Sequence, residues 1–125
     1  MAKVLYIDDN DDNRLLVSRV LLGSDYDFEF VEADSALLGI ELAASDPPDL
    51  ILMDISMPDL DGLTATARIR EMPQLRNVPV VAMTANAMPG DKERTLEAGC
   101  DGYIRKPVDV DHLPDELMHY IGSRR

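Results

Sequence analysis

Leu50-Ile51-Leu52-Met53-Asp54, four apolar residues stopped by an acid, is the stretch on which the fold reading turns. Short apolar runs bounded by polar residues are the mark of parallel strands buried on both faces. Two more runs end in the same way. Val4-Leu5-Tyr6-Ile7 leads into Asp8-Asp9, and Tyr103-Ile104-Arg105 leads into Lys106-Pro107. In an open parallel α/β sheet, ligands sit in the crevice beyond the carboxyl ends of the strands. Three strand ends would therefore gather three carboxylates and one ammonium in one place. A cluster of that kind suits a divalent cation and a phosphoryl group.

Working outward, apolar runs alternate with amphipathic segments along the whole chain, the βα repetition of a parallel sheet. The spacing predicts strands at Lys3–Ile7, Phe28–Glu32, Leu50–Met53, Val80–Met83 and Gly102–Arg105. In the second, Phe28 and Phe30 alternate with Glu29 and Glu32, as expected of an edge strand with one wetter face. The first, third and fourth are apolar almost throughout and belong at the centre. Five helices lie between and after them. Asp11 or Asp12 is expected to cap the first, which stops at Gly23. Asp34 or Ser35 caps the second, ended by Pro47-Pro48. The third runs from about Asp61 or Leu63 to Glu71. Pro89, at a first helical turn, opens the fourth, which Gly99 closes. Asp109 or Asp111 begins the fifth.

A chain of 125 residues predicts one domain, spanning 1–125 with no output domain. Roughly two-thirds of its unfolded surface would be buried, enough to fold without staples. The single Cys100 excludes an internal disulfide, and His112 and His119 have no thiolate partners for a structural zinc site. With 12 basic and 24 acidic residues the net charge is −12. That field repels nucleic acid and anionic membrane. No apolar stretch approaches the roughly 20 residues of a membrane span, so the expectation is a cytoplasmic protein.

Carboxylates crowded within about 4 Å repel by several kcal/mol at an effective dielectric near 20. They tolerate this when one protonates or a cation intervenes. Oxygen-only ligands select hard cations, and Mg²⁺ accepts one or two carboxylates, waters and a phosphate. An ordinary solvated acidic surface is the bland alternative, but each acid here follows a buried run instead of lying on a helix face. Lys106, at the end of the last strand, then reads as a counter-charge for a phosphoryl oxygen. Thr84, directly after Val80–Met83, adds a hydroxyl at a fourth strand end.

These residues resemble the receiver domains of two-component response regulators. Asp8-Asp9 is similar to the family's acidic pair, and Asp54 in Leu-Ile-Leu-Met-Asp-Ile-Ser-Met-Pro-Asp-Leu-Asp-Gly to its phospho-acceptor motif. Thr84-Ala85 resembles the switch hydroxyl with its small neighbour; Tyr103 and Lys106-Pro107 resemble the last strand and its lysine. The stretch Met83–Gly90 is especially similar to receivers of hybrid kinases and to stand-alone cell-division regulators. The resemblance covers nearly the whole chain in order. It implies a doubly wound, flavodoxin-like (βα)5 three-layer sandwich with sheet order 2-1-3-4-5 and a cis Lys106-Pro107 peptide.

It also implies a chemistry. Asp54 would take a phosphoryl group from a histidine kinase or histidine phosphotransfer protein, with Mg²⁺ or Mn²⁺ held by Asp9, Asp54 and the Ser56 carbonyl, and by Asp8 through water. Lys106 and Thr84 would hold the phosphoryl oxygens. Thr84 and Tyr103 would relay the change to the face of the fourth helix, fifth strand and fifth helix, read by a downstream protein target. Phosphorylation could also drive dimerisation. Ser56 and Asn86, two beyond the acceptor and the switch threonine, would tune phosphoryl lifetime. Apart from accepting and losing this group the chain is expected not to be an enzyme. Asp12, Asn13, Leu16 and Val20 would lie where a histidine-bearing helical bundle docks.

Other readings are weaker. A calcium loop over Asp8–Asn13 lacks the glycine at its sixth position, where Asn13 stands, and the glutamate at its twelfth, where Arg19 stands. An FMN site needs a hydroxyl- or glycine-rich loop after the first strand, where this chain is acidic. A dehalogenase-like phosphatase needs Asp-x-Asp, and here Asp54-Ile55-Ser56 offers no second acid. A phosphorylation-independent interaction module is the remaining rival; Asp54, Thr84 and Lys106 together argue against it. Two local features carry further expectations. Pro114 inside a fifth helix would cost about 3 kcal/mol, so that helix should start late or bend. Leu15, Leu16, Val17, Val20, Leu21 and Leu22 make the first helix broadly apolar, and most of them are expected in the core.

Overall fold

A computed structural model of the chain describes residues 1–85 and 89–123. The runs buried on both faces become β1 (Ala2–Ile7), β3 (Leu50–Asp54) and β4 (Val80–Thr84), with β2 (Phe28–Ala33) and β5 (Gly102–Arg105) outside them. All neighbours pair parallel, in the order β2-β1-β3-β4-β5. This is the doubly wound topology expected, with the alternating β2 at an edge. Side chains of a strand point alternately to its two faces, so one run feeds two cores. Leu5, Ile7, Ile51 and Met53 face α2 (Ala36–Ser45) and α3 (Gly62–Glu71). Val4, Tyr6, Leu50 and Leu52 face α1 (Asp11–Leu22) and α5 (Leu113–Ser123). The short α4 (Asp91–Glu97) packs against β5. Among the described residues no helix is long and apolar enough to cross a membrane.

Strand register positions the polar ends. Ile7 pairs with Met53, Asp54 with Met83, and Thr84 with Arg105. Asp8, Asp54, Thr84 and Lys106 thus lie at or one step past one rim of the sheet. Gly62 brings the start of α3 against that rim. A Cβ there would stand 2.7 Å from the Asp54 carbonyl oxygen and 2.8 Å from Ile55 Cα. Lys106-Pro107 is cis, as the resemblance implied.

Helix ends depart from expectation in three places. Asn10, and neither Asp11 nor Asp12, caps α1: its side chain accepts from the Asn13 N–H at 2.9 Å. The two aspartates sit inside the first turn, where carboxylates complement the positive helix end. Ser35 caps α2 and Asp61 caps α3, each one of the two candidates. Pro89 does not lie in a first helical turn. Gly90, at φ +87°, separates it from α4, because a left-handed residue cannot continue a right-handed helix. The fifth helix starts at Leu113, later than Asp109 or Asp111 but in keeping with the late start expected from Pro114, which lies in its first turn, where the missing N–H would have had no helical partner. Tyr26 Oη donates to Asp115 Oδ1 at 2.5 Å, tying that turn to the segment after α1.

The expectation that most apolar residues of α1 are core does not hold. Val17 and Leu21 are buried and Val20 is half-buried, while Leu15, Leu16 and Leu22 are exposed. Arg14 takes a place on the inner face instead. Its guanidinium pairs with Asp11 and, at 3.0 Å, with Glu32 of β2, and donates to the Asp8 carbonyl at 2.5 Å. A charged group held in that way occupies surface that leucine would otherwise fill.

Candidate active site

Asp8, Asp9 and Asp54 converge: one carboxylate oxygen of each lies within 4.8 Å of the others. Asp8 and Asp54 are buried and Asp9 is exposed. Lys106 Nζ reaches both buried acids, at 3.2 Å from Asp8 Oδ2 and 3.5 Å from Asp54 Oδ2. Its backbone N–H donates to the Thr84 carbonyl at 2.8 Å, which joins the ends of β4 and β5. Thr84 is buried at its strand end. All five positions expected to meet, Asp8, Asp9, Asp54, Thr84 and Lys106, therefore share one rim.

The two buried acids differ in environment. Asp8 accepts from the Asn10 N–H at 2.9 Å on Oδ1, and on Oδ2 from Tyr6 Oη at 2.5 Å, Asn13 Nδ2 at 3.2 Å and Lys106. Burial pushes its carboxyl up, but the bonds from Tyr6 and Asn10 and the Lys106 charge prevail and hold it below the usual range. Asp54 has the Ser56 N–H at 3.2 Å and the more distant lysine. Burial pushes its carboxyl up, and the Lys106 charge does not fully offset that and the repulsion of Asp8. Asp54 is thus a crowded, thinly hydrogen-bonded carboxylate, and Asp8 a saturated one.

An all-oxygen group of three carboxylates fits a hard divalent cation. Burial, and after it the repulsion of Asp8, raises the Asp54 carboxyl, and a cation bound there would favour its ionised form. Asp9 and Asp54 retain oxygens for direct ligation. Asp8 Oδ2, with three donors already, does not.

The remaining residues named from sequence are placed as follows. Ser56 is exposed in the loop after β3, and Tyr103 is half-buried in β5 opposite Ala82. Asn86 lies outside the described residues. Asp12 and Leu16 are exposed on α1. Asn13 and Leu16 line a pocket of about 140 Å³ with Tyr6, Lys106, Pro107 and Val108. Val20 lines a separate, wider groove of about 590 Å³ with Tyr26, Pro114 and Asp115, so three of the four docking candidates divide between two concavities and Asp12 lines neither. Sequence reading missed three contributors to the site: Tyr6, Asn10 and Arg14. A tyrosine within a central aliphatic strand was the available signal, since a buried phenol finds a hydrogen-bond partner.

The chain is 39% identical over 120 residues to the polar-differentiation response regulator DivK of Brucella ovis, covering 96% of each. The receiver domain of a sensor histidine kinase from Pseudomonas aeruginosa, whose crystal structure has a magnesium ion coordinated in its active-site cleft, is 34% identical. It superposes with a TM-score of 0.86, covering 97% of this chain and 98% of that one. The chemotaxis response regulator CheY4 of Vibrio cholerae superposes with a TM-score of 0.86 at 28% identity, over 96% of this chain and 98% of its own. The profile of the response regulator receiver domain matches residues 4–118. With acids, lysine and threonine at the rim where this fold works, the chain belongs to the response regulator receiver domain family of two-component signalling.

Proposed function

We propose that the chain is a phosphorylation-dependent switch whose acceptor is Asp54. The observation that carries this reading is the contrast between a saturated Asp8 and a sparsely bonded Asp54 beside the same lysine. An Asp54 oxygen attacks the phosphorus of a phosphohistidine on a kinase or phosphotransfer protein. The phosphorus–nitrogen bond breaks, its electron pair returns to the imidazole, and an acyl phosphate remains on Asp54. Aspartate serves as such a nucleophile in other phosphoryl transfers, where positioning and charge stabilisation supply most of the catalysis.

Asp9, Asp54 and the Ser56 carbonyl would hold Mg²⁺ or Mn²⁺, with Asp8 acting through water. The bound cation neutralises charge on the transferring group. Lys106 moves its ammonium from Asp8 to an equatorial oxygen, and Thr84 donates a second bond from the end of β4. Phosphate charge with strong acceptors can pull both groups in. Thr84 and Tyr103 then bias the α4–β5–α5 face, which a downstream protein target reads. Ser56 and Asn86 tune the hydrolysis that resets the switch, and that self-dephosphorylation is the only turnover. The net charge of −12 disfavours direct nucleic-acid binding, and the switch works in the cytoplasm.

Acetyl phosphate with Mg²⁺, followed by intact mass, tests this. Wild type should gain one phosphoryl group and Asp54→Asn none. No adduct on wild type would favour an interaction module independent of phosphorylation, and turnover of a generic phosphate ester would favour a phosphatase.

A further inference from the structure

We propose that Tyr6 is a positioning residue of this site, holding the Asp8 carboxylate fixed so that it orients the cation's shell while Lys106 passes to the phosphoryl group. The inference rests on Asp54 being the acceptor.

Tyr6 lies within β1, fully buried between Leu5 and Ile7, and packs against Phe30 with ring centroids 6.4 Å apart. Residues two apart on an extended chain point to the same side. Tyr6 and Asp8 have that spacing, and the phenol meets Asp8 Oδ2 at 2.5 Å from the core side. A leucine or phenylalanine would fill the same layer, so packing alone does not account for the hydroxyl. A carboxylate oxygen only accepts, so at 2.5 Å the Tyr6 hydroxyl is the donor.

The three donors on Oδ2 differ in mobility. Lys106 is a flexible ammonium, and the proposed transfer takes it away from Asp8. Asn13 is half-buried on α1. The Tyr6 ring is enclosed by the core and cannot follow the lysine. When Lys106 leaves, a fully buried carboxylate would lose one donor, and the phenol keeps that oxygen satisfied and the group from rotating. Without it, Asp8 would turn or draw Lys106 more tightly. Hydrogen-bond partners of this indirect kind are worth about tenfold or more in metal affinity where they have been removed.

Tyr6→Phe deletes one oxygen and keeps the ring. Calorimetric titration with Mg²⁺ should show Kd weakened about tenfold, with phosphorylation by acetyl phosphate restored by raising Mg²⁺. In wild type labelled at the tyrosine Cζ, the Tyr6 resonance should shift on adding Mg²⁺, with the calorimetric midpoint. An unchanged or tighter Kd in the variant overturns the proposal. If the variant does not fold, the wild-type resonance decides: a signal indifferent to Mg²⁺ overturns it. Wild type that binds Mg²⁺ and is phosphorylated while these tests fail rejects Tyr6 alone. Wild type that does neither rejects the acceptor reading, and the role of Tyr6 with it.

Discussion

Lys106 Nζ stands 3.2 Å from Asp8 Oδ2 and 3.5 Å from Asp54 Oδ2, so the lysine leans toward Asp8 and leaves the proposed acceptor more exposed to the cleft's negative charge. Removing Lys106 takes away a cation that competes for the same carboxylates as the metal. Lys106→Ala should therefore bind Mg²⁺ as tightly as wild type or more so. Its phosphorylation by acetyl phosphate should slow by about tenfold to a hundredfold, the scale of losing one charge-stabilising donor. Loss of Mg²⁺ binding in calorimetry would contradict this division of labour.

The opposite shifts of the two buried acids predict opposite effects of neutralising them in metal-free protein. The folded-state pKa of Asp8 is lowered, so its contribution is present above the ordinary value of 3.8 and is lost as pH falls through its folded value. That of Asp54 is raised, so its contribution is full below 3.8 and is lost as pH rises through its folded value. At pH 7, Asp54→Asn should stabilise the protein by about 1–2 kcal/mol and Asp8→Asn should destabilise it by about 1–3 kcal/mol. The Asp54→Asn gain should shrink as pH is lowered toward the ordinary carboxylate range. Urea titrations at several pH values measure both signs, and equal signs would refute the assignment.

Gly62→Ala tests the close approach of α3 to the acceptor strand. The new Cβ would meet the Asp54 carbonyl oxygen at 2.7 Å and Ile55 Cα at 2.8 Å, both backbone atoms with no rotamer to yield. A destabilisation of about 1–3 kcal/mol is expected, the range for overpacking. Phosphorylation should slow as well, because the shift falls on the residue that carries the acceptor. Denaturation midpoints and the rate with acetyl phosphate measure the two effects.

Leu16→Glu addresses the docking face. Leu16 is exposed on α1 beside the pocket that includes Lys106 and Pro107. Transfer from a phosphorylated histidine protein should slow at least tenfold if the interface buries this side chain, while labelling by acetyl phosphate should be unchanged. Equal losses with both donors would place the fault in the site itself.

Much of this was legible from the chain because parallel strands covered on both faces leave near-continuous aliphatic runs. Leu50–Met53 is such a run, and its terminal acid marks the rim. Edge character was legible in Phe28–Glu32 for the converse reason. Helix starts were less so, since Asn10, Asp11 and Asp12 are all good caps and only the backbone decides among them. The exposed Leu15, Leu16 and Leu22 were read as core because composition does not say which residues of a helix face inward. Arg14 defeated that reading by occupying an inner position through three polar contacts. Tyr6 was passed over because tyrosine is an ordinary strand residue, and its hydroxyl's partner emerges only in three dimensions.

Pairing of Ile7 with Met53 has a consequence for evolvability. A slip of one residue between these central strands would send Val4, Tyr6 and their neighbours into the opposite layer, at a heavy cost in packing. The same slip would turn Asp8 away from Asp54. Fidelity of the chemistry is thus guarded by hydrocarbon: a lineage free to alter its surface, its partners and its loops cannot misalign the carboxylates without first unmaking the protein.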